Sequence, residues 1–106
     1  MDDNQNKMTI NELEVSIFSW AKNRGIFTGS TPIKQALKTQ EEVTELLNAI
    51  VDKDEAEIKD AIGDIVVTLI IQCHMNGLLL KECIESAYDV INKRNGKMVN
   101  GQFVKE

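Results

Sequence analysis

Proline occurs once in this chain and aromatic residues make up only 5% of it, a scarcity that argues against an all-β sandwich and leaves helices as the natural expectation. Only two cysteines are present, Cys73 and Cys83, and neither belongs to a C-x-x-C pair. With that spacing both are expected to be reduced thiols inside apolar helical patterns. The single histidine, His74, has no glutamate three residues before it, which removes the Glu-x-x-His di-iron arrangement and leaves His74 a structural role. No Walker A glycine loop, G-x-S-x-G elbow, EF-hand in register or Cys and His nucleophile pairing is found. The longest strongly apolar stretch, Ile65 to Ile71, falls far short of the about 20 residues a bilayer span requires. The start, MDDNQNKMT, lacks the basic-then-apolar order of a secretory leader, so the chain is expected in the cytoplasm.

What is present is a chain of 106 residues, 42% of them hydrophobic, the size of one ordinary domain able to bury a core. Its net charge of −5 is unevenly spread. Between Gln40 and Asp64 nine acids face two bases, whereas Val90 to Glu106 carries Lys93, Arg94, Lys97 and Lys105 against Glu106 alone. An acidic middle and a basic tail suit a site for cations and a small anion better than the single broad basic face that a nucleic-acid polymer demands.

Four helices follow from the spacing. Thr9 with Glu12 forms a capping-box pattern ahead of Ile10, Leu13, Ile17, Trp20 and Ala21 on one face, and Gly25 supplies the stop. The segment GIFTGST reads as a loop; Thr31 and Pro32 then open a second helix running to about Val51. Asp54 and Glu57 cap a third, which ends near Asn76 and Gly77. Leu80, Cys83, Ile84, Ala87 and Ile91 give the stripe of a fourth, ended by Gly96. The tail, with Asn100-Gly101 at its centre, predicts a short hairpin over 97–106 that must pack on something. The whole is an all-α four-helix bundle of a single domain, 1–106, with residues 1–8 flexible. Because the third helix is apolar on every side from Ile65 through Cys73, a homodimer or a dimer of dimers is expected to cover its remaining face.

The acids fall into two groups. At 100° per residue, Glu57, Asp60 and Asp64 share a wedge of about 60° on the third helix. Asp64 adjoins the apolar run, with Gly63 beside it to permit a close helix approach, and is expected to be partly desolvated. On the second helix Glu41, Glu42 and Glu45 span an arc of about 100° beside Lys38. On their own such acids, opposite an apolar stripe, are more often a solvated face than a site, and the hairpin geometry shifts that balance. If the two helices fold back at Asp52 and Lys53, residues whose numbers sum to about 105 lie level, so Glu42 meets Asp64 and Glu45 meets Asp60. Stacked acid pairs repel unless a cation intervenes, and oxygen ligands favour Mg²⁺, then Mn²⁺.

These residues carry a resemblance to the MazG-like nucleotide pyrophosphohydrolases, the all-α NTP pyrophosphatases, whose hallmark is E-E-x-x-E on one helix and E-x-x-D on the next. The first half matches in full as Glu41 to Glu45, and the second as DAIGDIV, Asp60 to Val66, with Asp64 in the final acidic position. Ala61 stands where the family usually has glutamate, so Asp60 or Glu57 is left to supply the fourth metal ligand. The resemblance implies Mg²⁺-dependent hydrolysis of a nucleoside or deoxynucleoside triphosphate to monophosphate and pyrophosphate, in dimers or tetramers. On that basis Glu42, Glu45, Asp60 and Asp64 hold the metal, and Glu41 or Glu45 accepts a proton from the attacking water. Lys38, Asn92, Lys93, Arg94 and Lys97 meet the phosphates. For the last four the competing role is an ordinary cationic helix end. Trp20, Phe27 and Tyr88 are candidates to stack on a base, against the alternative of core packing. Two rival readings remain: a non-catalytic helical dimerisation module, and a hydrolase of another phosphorylated metabolite.

Overall fold

The computed structural model describes residues 7–106. Expectations for residues 1–6, including the flexible start, lie outside the described residues. The elements run α1 (Ile10–Asn23), α2 (Ile26–Gly29), α3 (Pro32–Val51), α4 (Glu55–Met75), α5 (Leu80–Ile91), β1 (Gly96–Val99) and β2 (Gln102–Lys105). The fold is therefore all-α with a two-stranded antiparallel hairpin at its C-terminus.

The helix starts follow their side-chain chemistry. The Glu12 amide donates to Thr9 Oγ1 at 3.1 Å while the Thr9 amide donates to Glu12 Oε1 at 2.8 Å, the reciprocal pair that satisfies two otherwise unpaired donors. Thr31 caps α3 through the Lys34 amide at 3.2 Å, and Pro32 occupies its first turn. Asp54 caps α4 through the Glu57 amide at 3.1 Å. Gly25, at φ 75°, ends α1 in the left-handed region. The segment after it is not a plain loop as the two glycines suggest: Ile26–Gly29 winds one further helical turn, closed by the Ser30 amide on Ile26 O at 3.0 Å.

α3 and α4 form a long antiparallel hairpin that is the centre of the molecule. Its turn needs Lys53 at φ 55° and is tied by the Asp54 amide on Ala49 O at 3.1 Å. Farther along, Gln35 Nε2 donates to Thr68 O at 3.0 Å, and Thr39 Oγ1 lies 2.9 Å from Thr68 Oγ1. The numbers in these pairs sum to 103 and 107, bracketing the register expected from the turn. Among the described residues the buried apolar ones are Ala21, Ala49, Ala61, Ile70, Ile71 and Cys73, so α4 supplies four of these six. Small residues at Ala49 and Ala61 let the two helices close near the turn, whereas the far end of the seam is polar.

The fourth long helix is held more loosely. α5 buries no residue; it is anchored where the Leu80 amide donates to Glu14 Oε2 at 2.8 Å and the Leu79 amide to Glu82 Oε1 at 2.9 Å. It ends at Ile91, capped by Asn92, earlier than a stop at Gly96 would place it. Gly96 instead lies in β1, paired with Lys105, and a Cβ there would come within 2.5 Å of the Phe103 ring and of Val104 O. Its glycine is required by close strand approach and not by a helix terminus. Asn100 and Gly101, at φ 50° and 83°, make the expected two-residue turn. The hairpin does not bury itself on the helices: Met98, Phe103 and Val104 stay exposed. Exposed apolar stripes also run along Val43, Leu47 and Ile50 of α3, Ile62, Val66 and Leu69 of α4, and Ile84, Tyr88 and Ile91 of α5. The Cα radius of gyration is 16.3 Å, against about 13 Å for a compact chain of this length. Among the described residues, no single helix is long and apolar enough to cross a membrane.

Because Gln35 is buried and ties α3 to the α4 backbone, Gln35→Ala is expected to lower stability by about 1–3 kcal/mol, from the lost bond and the void together. Urea unfolding should show a lower midpoint at unchanged slope, and an unchanged midpoint would mean that this bond does not hold the seam.

Candidate active site

On α3 the buried residues are Gln35, Glu42 and Ala49, seven apart, so they mark the line of the helix that faces α4. Glu42 is thus a seam residue, and its exposure is only 8%. A carboxylate so placed is costly without a partner. Lys38, one turn earlier, brings its Nζ to 3.5 Å from Glu42 and 3.8 Å from Glu41. Glu41 is about 100° around the helix from Glu42 and lies in solvent; Glu45, about 60° away, stands at the flank.

On α4 the facing line passes through buried Ala61 and Thr68. Relative to Ala61, Glu57 and Asp64 lie about 40° and 60° to one side, while Asp60 lies about 100° away. This rotation decides which acids meet. Glu42 and Asp64 line one cleft of about 250 Å³, walled by Trp20, Ile26, Val67 and Ile71 and floored by Gln35, Lys38 and Thr68. Glu45 and Glu57 line a second of about 200 Å³ with Asn48, Ala49, Asp52 and Asp54. Asp60 lines neither. Glu42 and Asp64 thus share a cleft, as the register expected, whereas Glu45 shares its cleft with Glu57.

Asp64 itself is exposed; the desolvated acid is Glu42. Gly63 has no neighbour within 4 Å of where a Cβ would stand, so no helix of this chain packs against it. Trp20 forms a cleft wall at 48% exposure, with the Arg24 guanidinium 5.8 Å from its ring centre. Phe27 packs instead with Phe18, at 5.3 Å between ring centres, and Phe18 with His74 at 4.6 Å. His74 thus serves an aromatic cluster, its Nε2 3.6 Å from Glu14 Oε2. Tyr88 is exposed, as are Asn92, Lys93, Arg94 and Lys97, and none of these lines either acidic cleft of its own chain. Lys93 reaches only Asp89, at 3.9 Å.

Sequence reasoning missed Gln35, Thr39 and Thr68, which make the seam polar beside Glu42. The signal was present in the seven-residue spacing Gln35, Glu42, Ala49, which places a second polar residue on the same line as the acid. Ile26 of the short helix α2 was also missed as a wall of the cleft.

Among the described residues, no three His, Cys, Asp or Glu side chains stand close enough together to hold a metal ion. The first cleft carries two acids, Glu42 and Asp64, and the second four, Glu45, Asp52, Asp54 and Glu57. Two carboxylates suit Mg²⁺, which is ordinarily held by one or two carboxylates, waters and substrate phosphates, and does not require an all-protein cage.

Two antiparallel helices presenting paired carboxylates across a polar seam, in an all-α chain with E-E-x-x-E on the first, define the all-α NTP pyrophosphatase, or MazG-like, superfamily. The family profile of phosphoribosyl-ATP pyrophosphohydrolase matches residues 19–90, from Ser19 just before Trp20 to near the end of α5, and the chain belongs to that family. It is also similar to an uncharacterised 18.2 kDa protein of the rep-hol intergenic region of Haemophilus phage HP1, with 36% identity over 75 residues. That match takes in 68% of this chain and 46% of the phage protein, so the chain spans about half the length of that relative. No solved structure gives a significant match. The family takes its name from the hydrolysis of phosphoribosyl-ATP to release pyrophosphate.

Among the described residues, Lys38 is the one cation within 4 Å of the Glu42 carboxylate. Lys38→Met is expected to lower stability by about 0.5–1 kcal/mol, a figure held down by solvent screening at the half-exposed ammonium. Asp64→Asn in the same background should recover part of that loss by removing a like charge from the cleft. The check is a comparison of urea midpoints without divalent cations, and the double variant being no more stable than Lys38→Met would rule out repulsion between Glu42 and Asp64.

Proposed function

We propose that the chain hydrolyses nucleoside or deoxynucleoside triphosphates to monophosphate and pyrophosphate in a Mg²⁺-dependent reaction. The observation that carries this reading is Glu42, a buried carboxylate at the centre of a helix seam, sharing a cleft with Asp64. A buried carboxylate with only the half-exposed Lys38 beside it favours a cation bound from the cleft. Glu42 and Asp64 in one cleft, and Glu45 with Glu57 (or Asp60) beside it, would hold one or more ions, and Mn²⁺ has the same ligand preference. When bound, the ion supplies neutralisation of phosphate charge. Glu41 or Glu45, both open to solvent, takes the proton of the attacking water. Trp20, on the cleft wall, offers a face to the base.

The phosphates need cations that one copy of the chain lacks near its acids, apart from Lys38. We place Asn92, Lys93, Arg94 and Lys97 of one copy against the cleft of another, in a homodimer or dimer of dimers. The exposed stripes of α3, α4 and α5 and the large radius of gyration support such an assembly. Neither a membrane nor a nucleic-acid polymer enters this reading, and the cytoplasm, where nucleotides are plentiful, is its setting. Phosphoribosyl-ATP is the second substrate reading, favoured by the family to which the chain belongs. It presents the same triphosphate chemistry to the same carboxylates.

Pyrophosphate release measured against canonical and modified nucleoside triphosphates and phosphoribosyl-ATP, with and without Mg²⁺, tests the activity. Glu42→Gln and Asp64→Asn are each expected to lower kcat/KM by on the order of 100-fold or more, with the helical spectrum retained. Turnover of none of these compounds by the folded wild type would end the proposal and favour a binding module. For the assembly, sedimentation at micromolar concentration is expected to show a dimer or tetramer in the wild type and a monomer in Val66→Glu/Leu69→Glu. A monomeric wild type would remove the placement of the basic residues across copies.

A further inference from the structure

Cys73 lies in the last turn of α4 and Cys83 in the first turn of α5, and their sulfurs are 3.8 Å apart. The connection between them fixes this approach. The Leu78 amide donates to Cys73 O at 2.8 Å and the Cys83 amide to Leu79 O at 3.2 Å. Each cysteine backbone is thus one hydrogen bond from neighbouring residues of the same elbow, whose sharp bend is made by Gly77 at φ 70°. We propose that Cys73 and Cys83 form a reversible intramolecular disulfide that pins α5 to the end of α4. The proposal is independent of the catalytic reading.

Closing from 3.8 Å to the about 2.05 Å of a disulfide asks for side-chain rotation and a small shift of one helix. α5 is free to make that shift, since it buries no residue and its attachment near the elbow is the Leu80 amide on Glu14. Cys83 is the more exposed of the two, while Cys73 is buried. Burial, with the Cys83 thiol alongside, pushes Cys73 up to about 11, so it stays protonated at neutral pH. Cys83 therefore meets the oxidant first, and hydrogen peroxide is the class named here. The Cys83 thiolate attacks one peroxide oxygen and the O–O bond breaks, leaving a sulfenic acid and a hydroxide that is protonated to water. Cys73 then attacks the sulfenic sulfur as its own proton is lost; the S–S bond forms and the oxygen leaves as a second water. Two thiols and one peroxide give one disulfide and two waters, and a dithiol reductant reverses the change. The effect is mechanical: the elbow becomes a closed loop, and the direction in which α5 and the hairpin project is fixed.

The experiment treats the wild-type chain with hydrogen peroxide, followed by non-reducing tryptic mapping and thermal unfolding with and without dithiothreitol. Cleavage after Lys59, Lys81 and Lys93 separates the two cysteines onto different peptides. The expected result is a 60–81 peptide joined to an 82–93 peptide within one chain, 2 Da lighter than the sum of the free peptides. A midpoint raised by roughly 5–15 °C that returns on reduction is expected with it, as for a short closed loop in a small domain. Cys83→Ser, which keeps the elbow, should show neither change. Linkage only between chains, over-oxidation of Cys83 with Cys73 left free, or a cross-link with an unmoved midpoint would each overturn the proposal.

Discussion

The register between α3 and α4 is the constraint on which the rest of the molecule depends. It is fixed at two places: the turn, where Lys53 takes a left-handed conformation and Asp54 caps α4, and the middle of the seam, where Thr68 is held by Gln35 and Thr39. A slip of one residue would move each side chain of α4 along by about 1.5 Å and around by about 100°. Glu42 would then face Ile65 or Gly63 and stand buried opposite apolar or empty backbone. The same polar bonds that look like a defect in a hydrophobic seam are what prevent that slip, because apolar contacts alone tolerate several registers. The site's geometry is consequently a by-product of a structural specification made by residues that take no part in chemistry.

That polarity has a cost which the fold distributes unevenly along the hairpin. Near the turn, Ala49 and Ala61 bring the backbones together with nothing to satisfy. Beyond it, Glu42, Gln35 and Thr68 are buried and polar, and Gln35 and Thr68 meet each other. Glu42 has Lys38, but on its own helix and half in solvent. An acid held at a seam with only a flexible surface ammonium for company is incompletely compensated, and the natural complement is a cation arriving from the cleft. The presence of Asp64 in the same cleft strengthens this argument, since two carboxylates there have nothing to gain from each other.

Much of this was legible in the residue order. The caps at Thr9, Thr31 and Asp54, the left-handed Gly25, and the Asn100-Gly101 turn each rest on interactions within a few residues, which sequence spacing encodes directly. The pairing of Glu42 with Asp64 followed from helical rise and the position of the turn. What escaped was set by rotation or by contacts between distant segments. Asp60 and Glu57 sit on one stripe when α4 is viewed alone, and only the direction in which α4 presents Ala61 to α3 separates them. Gly96 looks like a helix stop, but its reason is the Phe103 ring and the Val104 carbonyl lying across the hairpin. The desolvation assigned to Asp64 belongs to Glu42 for the same cause: burial depends on which face meets a neighbour, and a neighbouring apolar run does not determine that.

The openness of the chain and the incompleteness of its site point to one remedy. α4 is strongly apolar from Ile65 through Cys73, yet α1 and α3 cover only part of it, and Ile62, Val66 and Leu69 remain exposed along one stripe. α5 presents a stripe of its own and carries the basic residues away from the acids. A hydrophobic face without a cover and basic residues set apart from the acidic clefts are separate features of one copy. On the proposed reading, a second copy packed on α4 would bury the first and bring the second toward a cleft where Glu42 and Asp64 have only the half-exposed Lys38. Stability and charge balance would then be set by the same contact, so a substitution that opens the stripe at Val66 would be felt at Glu42 although the two side chains need never touch.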